Sequence, residues 1–329
     1  MSDEIFISVI IKTYNEQEGI EKTICSIRKH MSNYPHKIIV ADSLSTDDTQ
    51  KIAQSNNVEV ISLVDPSDRC CGVGHQLGYL MSEGDYLLLL DGDMELEDGF
   101  IHEAVQFLQD NQDYAGVAGM VEMDDVESYE FRARKQRIHQ IYPLGDCDHL
   151  GGGGLYRKSA IDQLGYLTNR NLHAYEESEL GMRLIDAGYK LHRLSIPYFK
   201  HTSYDMPSLE MLKYRWKNGY LFSSGELVRS AWGKPYFKQA LKTIKNEAIF
   251  AAYLILVALS IMSLDIKLFI FSLIPILSFW GIKVVKNKSI KDATQSVINM
   301  MFFSAGLLRG LFNKPKDPYQ APNYKIIKL

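Results

Sequence analysis

Asp91-Gly92-Asp93 follows directly on an uninterrupted apolar run, Tyr86–Leu90. In extended backbone, side chains two residues apart share a side, so the two carboxylates face one ligand, and the glycine between them lets the chain pass close to it. Such a pair suits a hard divalent cation, Mg²⁺ or Mn²⁺, which takes one or two protein carboxylates and completes its shell with substrate phosphate oxygens. Asp-Gly is also ordinary turn chemistry, and what argues against a mere turn is its company. Ile5–Lys12 runs into Thr13-Tyr14-Asn15-Glu16, and Lys37–Ala41 runs into Asp42-Ser-Leu-Ser-Thr-Asp47. Three apolar runs therefore end on acidic residues.

The elements that must position these endings are legible in the pattern. Strands are expected over Ile5–Lys12, Lys37–Ala41, Val58–Val64 and Tyr86–Leu90. Helices are expected over Gln17–Met31, from the capping run Ser45-Thr-Asp-Asp onward, over Gly72–Ser82 and over Asp98–Asp110. Strands alternating with helices specify an α/β fold built of βαβ units, with a mostly parallel sheet covered by helices on both faces. In such sheets ligands bind beyond the carboxyl ends of the strands, so the three acidic endings should converge on one edge.

These segments resemble the successive motifs of the family 2 glycosyltransferases. Ser8-Val-Ile-Ile-Lys-Thr-Tyr-Asn-Glu16, Asp42-Ser-Leu-Ser-Thr-Asp-Asp-Thr49 and Gly84-Asp-Tyr-Leu-Leu-Leu-Leu-Asp-Gly-Asp93 are matched in order, followed by Gly151-Gly-Gly-Gly-Leu-Tyr-Arg157 and Tyr175-Glu-Glu-Ser-Glu-Leu-Gly-Met-Arg183. The resemblance covers roughly residues 5–220. It implies a GT-A fold with a Rossmann-like nucleotide-binding half, and inverting transfer from a nucleotide-diphosphate sugar, with a uridine donor as the default. It implies that Thr13, Tyr14 and Glu16 line the base and ribose pocket, and that Asp42 reads the base edge. Asp91 and Asp93 would hold the ribose and the metal-bound diphosphate, and His201 would be a further metal or diphosphate ligand. Glu177 falls at the general base, where the family usually carries Asp; Glu176 and Glu179 lie close enough to leave the choice among them open. A second departure is Lys12, where the family often has Pro, and its expected effect is on loop rigidity alone.

Other residues join the site by chemistry. Gly72-Val-Gly74-His75-Gln-Leu-Gly78 misses a dinucleotide fingerprint by one residue and follows a loop. It reads instead as a helix start near the diphosphate, with Arg69 and His75 as contacts. Gly151–Gly154, including Gly152 and Gly153, permits close backbone approach and suits a wall of the acceptor site beside Glu176. Leu212-Lys-Tyr-Arg215-Trp216 is similar to the Gln-x-x-Arg-Trp motif of processive polysaccharide synthases but lacks the Gln, and places Arg215 and Trp216 among the acceptor-side candidates.

Composition separates the chain into two parts. The 329 residues carry a formal net charge of −4, an acidic balance that argues against nucleic-acid binding. From Trp232 onward there are 14 basic and 4 acidic residues, a net of +10, which leaves 22 basic and 36 acidic residues and a net of −14 before it. The expected division is a catalytic domain over 1–231 and a membrane-associated helical region over 232–329. Within the latter, the runs 248–264 and 268–285 are candidate spans joined by a turn at Asp265, and 293–312 is a third span or an interfacial helix. Lysines before the first run and after the second place both ends of the hairpin in the cytoplasm. The expected location is the cell's inner membrane, with the catalytic domain cytoplasmic and the acceptor lipid-linked or part of a glycan. Four cysteines without framework spacing agree with a reducing compartment.

Overall fold

The computed structural model describes residues 4–123, 137–201 and 207–327. It divides into two compact units, one comprising 1–127, 131–205 and 315–329, the other 128–130 and 206–314. This partition departs from a boundary at 231/232 in two ways. The second unit begins some 25 residues earlier, and the last fifteen residues return to the first unit.

The first unit is built on strands β1 (Ile7–Thr13), β2 (His36–Asp42), β3 (Glu59–Leu63), β4 (Tyr86–Asp91), β5 (Met94–Leu96), β6 (Tyr114–Met123), β7 (Gly145–Asp146), β8 (Gly154–Arg157), β9 (Lys190–His201) and β10 (Tyr324–Ile327). They form one sheet in the order β10-β3-β2-β1-β4-β8-β6-β9-β5, with β7 on β9. The stretch β3-β2-β1-β4 is parallel, as βαβ connections require. Beyond it, β8 and β10 add antiparallel, so the whole sheet is mixed.

Helices α1 (Ile20–His30), α2 (Thr49–Ser55), α3 (Cys71–Tyr79) and α4 (Phe100–Asp110) connect the early strands; α5 (Ile138–Ile141), α6 (Lys158–Leu164) and α7 (Glu176–Asp186) follow. Seven of the first eight expected elements fall within about three residues of their predicted ends. The exception is α2, which begins at Thr49 and not at Ser45, because Asp47 accepts from both the Thr49 amide (3.0 Å) and its hydroxyl (2.5 Å). The core is the apolar sheet: Ile7, Val9, Ile10, Ile11 and Leu87–Leu90 are fully buried.

The second unit is helical: α8 (Ser208–Lys217), α9 (Ser223–Ala231), α10 (Phe237–Thr243), α11 (Lys245–Met262), α12 (Ile266–Asn287) and α13 (Ile290–Gly310). Helices α11 and α12 are long and apolar enough to cross a membrane. Asp265 caps α12 by accepting from the Lys267 and Leu268 amides, which forms the expected turn. Tyr253 Oη donates to Ser272 O at 2.8 Å and ties the two helices together. Helix α13 buries one face within the unit. Its Gly306 and Gly310 lie so close to the backbone of Leu221 and Phe222 that a Cβ would sit 2.0 and 1.9 Å from their carbonyl oxygens, the close approach small residues allow at four-residue spacing.

Candidate active site

Strand register assembles the site: Thr13 lies beside Asp42, and Lys12 beside Asp91. The loops after β1 and β2 are built on each other. Asn15 and Leu44 both hold left-handed backbone, at φ 59° and 63°, a strained conformation for a leucine that persists only where its surroundings enforce it. The Glu16 amide donates to Thr49 Oγ1 (2.8 Å), the Asn15 amide to Ser45 Oγ (2.9 Å), and the Thr46 amide to Asn15 Oδ1 (2.8 Å). Asp42 is fully buried and accepts from Thr13 Oγ1 (3.3 Å), the Ser45 amide (3.0 Å), Gln50 Nε2 (2.6 Å) and Ser62 Oγ (3.3 Å). Arg69 closes this corner. Its guanidinium lies 4.1 Å from the centre of the Tyr14 ring and donates to Tyr14 Oη (2.8 Å) and Ser43 O (2.9 Å). An aromatic ring, a cation and a carboxylate held together in this way can stack on a base and receive an anion.

At the end of β4, Gly92 has no room for a Cβ, which would stand 2.9 Å from both Glu16 Cβ and Thr13 Cγ2. The glycine of Asp91-Gly-Asp93 is therefore demanded by neighbouring protein atoms. Burial first, then the charges of Asp93 and Asp91, push the Glu16 carboxyl up to about 8. Glu16, Asp91 and Asp93 thus lie within electrostatic reach of one another at the end of β4, and carboxylate oxygens are the donor type that suits Mg²⁺ or Mn²⁺. Among the described residues no group of three or more His, Cys, Asp or Glu forms a ready-made metal site. His201 ends β9 opposite Met94, and its side chain lies outside the described residues.

His75 corrects one expectation. It is fully buried, with Nε2 3.2 Å from Leu90 O and 3.7 Å from Asp91 Oδ1. Burial, reinforced by Lys12, lowers its pKa to about 4, so the ring is neutral and packs behind Asp91 with no face open to a diphosphate.

The three glutamates of α7 separate by surroundings. Glu179 is fully buried, accepts from Tyr166 Oη (2.9 Å) and pairs with Arg183 Nε (2.8 Å). It is an internal strut. Glu176, nearly buried, meets Lys12 Nζ at 3.3 Å. Glu177 accepts from the Gly153 amide at 2.6 Å. Burial and then the Glu176 charge raise its pKa to about 7, against the lowering effects of Lys12 and the Gly153 amide. A carboxylate poised there can accept a proton near neutrality. The helix carrying all three is preceded by Tyr175, its N-cap and another residue with left-handed backbone (φ 65°).

Gly151–Gly154 all have positive φ, between 58° and 141°, and a Cβ on Gly153 would stand 2.0 Å from Leu89 O. Gly152 and Gly153 shape the backbone that holds Glu177. Arg215 and Trp216 lie on α8 in the second unit, where the Trp216 ring packs edge-on against Phe222 at 5.2 Å.

Two features escaped sequence reasoning. Lys12 is no spacer. Its Nζ lies 3.2 Å from Asp91 Oδ1 as well as close to Glu176. Burial alone would lower its pKa, but Asp91 and Glu176 outweigh that and hold it well above the ordinary value. The available signal was a lysine inside an otherwise buried strand, a position that needs a partner. The second is Asp68, one residue before Arg69, which receives Arg170 Nη2 at 2.6 Å and Lys316 Nζ at 2.7 Å. The tail from Pro315 onward is thereby fastened beside the Tyr14–Arg69 corner, and β10 completes the edge of the sheet. Nothing local in the sequence links positions 68 and 316.

The family profile "Glycosyl transferase family 2" matches residues 8–165. The chain is 26% identical over 222 residues to the O-antigen chain rhamnosyltransferase WbaN of Salmonella anatum, covering 63% of this chain and 69% of that protein. It is 26% identical over 129 residues to the dolichol-phosphate mannosyltransferase of Pyrococcus furiosus, covering 38% and 36%. Among solved structures, the mannosyltransferase PcManGT from Pyrobaculum calidifontis, in complex with GDP-Man and Mn²⁺, superposes with a TM-score of 0.60 at 15% identity, over 94% of this chain and 88% of that one. At that identity the likeness concerns the fold alone.

Proposed function

Since the chain is a family 2 glycosyltransferase, we propose that it moves a sugar from a nucleotide-diphosphate donor, a uridine nucleotide by default, to a lipid-linked or cell-surface glycan acceptor, with inversion at the anomeric carbon. The observation that carries this reading is Glu177: a carboxylate with a pKa of about 7, held by the Gly153 amide, in electrostatic range of Asp91. Tyr14 and Arg69 take the base and ribose, and the fully buried Asp42 braces that corner from behind through Thr13, Ser45, Gln50 and Ser62. Asp91 and Asp93 hold the diphosphate end together with a divalent cation, which when bound offsets the charge developing on the leaving diphosphate. Ionised Glu177 accepts the proton of the acceptor hydroxyl as that oxygen attacks, and a single displacement inverts the centre. Of the three glutamates, Glu179 and Glu176 are committed to Arg183 and Lys12, which favours Glu177 as the base. The apolar α11 and α12, with lysines at their flanks, support attachment to the inner membrane with the catalytic unit in the cytoplasm and the acceptor at the lipid surface.

The test is Glu177→Gln, assayed with a panel of nucleotide-diphosphate sugars. Transfer is lost while donor affinity stays nearly intact; equal loss of both rejects the base assignment. A second reading is favoured by the dolichol-phosphate relative: the acceptor is a polyprenyl phosphate, already anionic and in no need of a base. Glu177→Gln with unimpaired transfer selects that reading.

A further inference from the structure

We propose that Lys12 is a positioning residue whose ammonium ties Asp91 to Glu176, holding the donor and acceptor sides of the site to one protein-borne positive charge. The inference rests on the transferase reading for which sides these are, and on the structure for the rest. Asp91 ends β4 and Glu176 opens α7, elements far apart in sequence, and Lys12 Nζ reaches both, at 3.2 and 3.3 Å. The lysine side chain is 17% exposed and that of Glu176 11%, so solvent screens the contact less than it would a surface pair. A buried ammonium is tolerated only where partners repay its lost hydration, and three donors on one nitrogen let it serve two carboxylates together.

The fold keeps a channel for this side chain. Helix α3 passes over it at Gly74, where a Cβ would stand 2.2 Å from Lys12 Cγ and 2.5 Å from Cδ. Glycine within a helix costs about 1 kcal/mol relative to alanine, and here it leaves the slot that the lysine stem threads. Gly74 and Gly78 of α3 are thus explained by helix–strand packing, against Lys12 and against Ile10 and Ala41. The groups facing the ammonium are Asp91 from β4, His75 and Cys71 from α3, and Glu176 and Glu177 from α7. A divalent cation bound at Asp91 and Asp93 would share this neighbourhood with Lys12 and be repelled by it. The lysine therefore aligns the two sides and at the same time weakens the cation's hold.

The two effects have opposite signs, which separates them from a folding defect. In full-length protein in detergent, Lys12→Met is expected to lower kcat about tenfold with donor KM nearly unchanged, while Mn²⁺ without donor, followed by its free-ion EPR signal, binds about threefold tighter. Lys12→Arg restores most of kcat, because a guanidinium reaches the same two carboxylates. Gly74→Ala, which displaces the lysine stem, moves both readouts in the same directions by smaller amounts, and it serves in place of Lys12→Met should that variant fail to fold. Turnover of Lys12→Met within twofold of wild type, or Mn²⁺ affinity unchanged or weakened, overturns the proposal. If wild type uses no donor at all, the transferase reading fails by itself, and the Mn²⁺ shift still decides whether Lys12 sits against the cation site.

Discussion

In the first unit the apolar residues are inside: Ile10, Leu88 and Leu89 are fully buried, and charged groups collect where the strands end. In the second unit the relation is reversed along α11 and α12. Met262 is 76% exposed and Val285 79%, and α12 has no buried residue at all. Hydrophobic runs of comparable strength, Tyr86–Leu90 and Leu268–Ile282, therefore end in opposite places. The first is short, and neighbouring strands and helices cover it. The second is long enough to satisfy its own backbone hydrogen bonds as a helix and offers its side chains outward, an arrangement that suits a lipid solvent and is costly in water. The proposed function assigns chemistry to one unit and anchorage to the other, and substitutions can break that assignment.

The largest effect belongs to Glu177→Gln, expected to slow transfer by about 10²–10⁴-fold with donor binding and membrane association unchanged, measured by product formation and vesicle flotation. Loss of membrane association here would break the division between units. Next is Glu179→Ala, which strands the buried Arg183 guanidinium and should cost about 3–5 kcal/mol of stability in the first unit, read by thermal or denaturant unfolding. In the second unit, Ile274→Lys places a charge midway along α12, about 2.5–3.5 kcal/mol against insertion; flotation with anionic vesicles should fall while donor binding in detergent persists. The smallest change is a pH dependence. Glu177 acts ionised and its pKa is raised to about 7, so kcat/KM should hold level above that pH and fall about tenfold per unit as pH drops below it. Glu177→Gln should abolish that limb, and a limb that survives would assign the titration to another group.

Much of the half built on β1, β2 and β4 was legible in the sequence because its signals are local. Ile7–Thr13, His36–Asp42 and Tyr86–Asp91 show themselves as apolar runs, and their acidic ends follow within a few residues. Lys12 was misread as a matter of loop stiffness because its partners sit 79 and 164 residues away. His75 was read as a diphosphate contact because a helix start looks open until the strands beneath it are in place. The return of Tyr324–Ile327 to the sheet edge was not visible either: a four-residue segment with two isoleucines carries no sign of which strand it will pair with.

What the sequence by itself determined is the alternation of strands and helices, the three acidic strand ends, the two long apolar helices and the resemblance to the family 2 glycosyltransferases. Each of these depends on residues within a window of about twenty positions. Only the tertiary structure decided how Glu176, Glu177 and Glu179, three residues apart at most, divide into an ion-pair partner, a poised carboxylate and a strut. Their intrinsic chemistry is identical. Burial and the charges brought alongside from β1, β4 and α7 itself raise the pKa of Glu177, while Glu176 and Glu179 are paired with Lys12 and Arg183, and those surroundings exist only once the chain has folded.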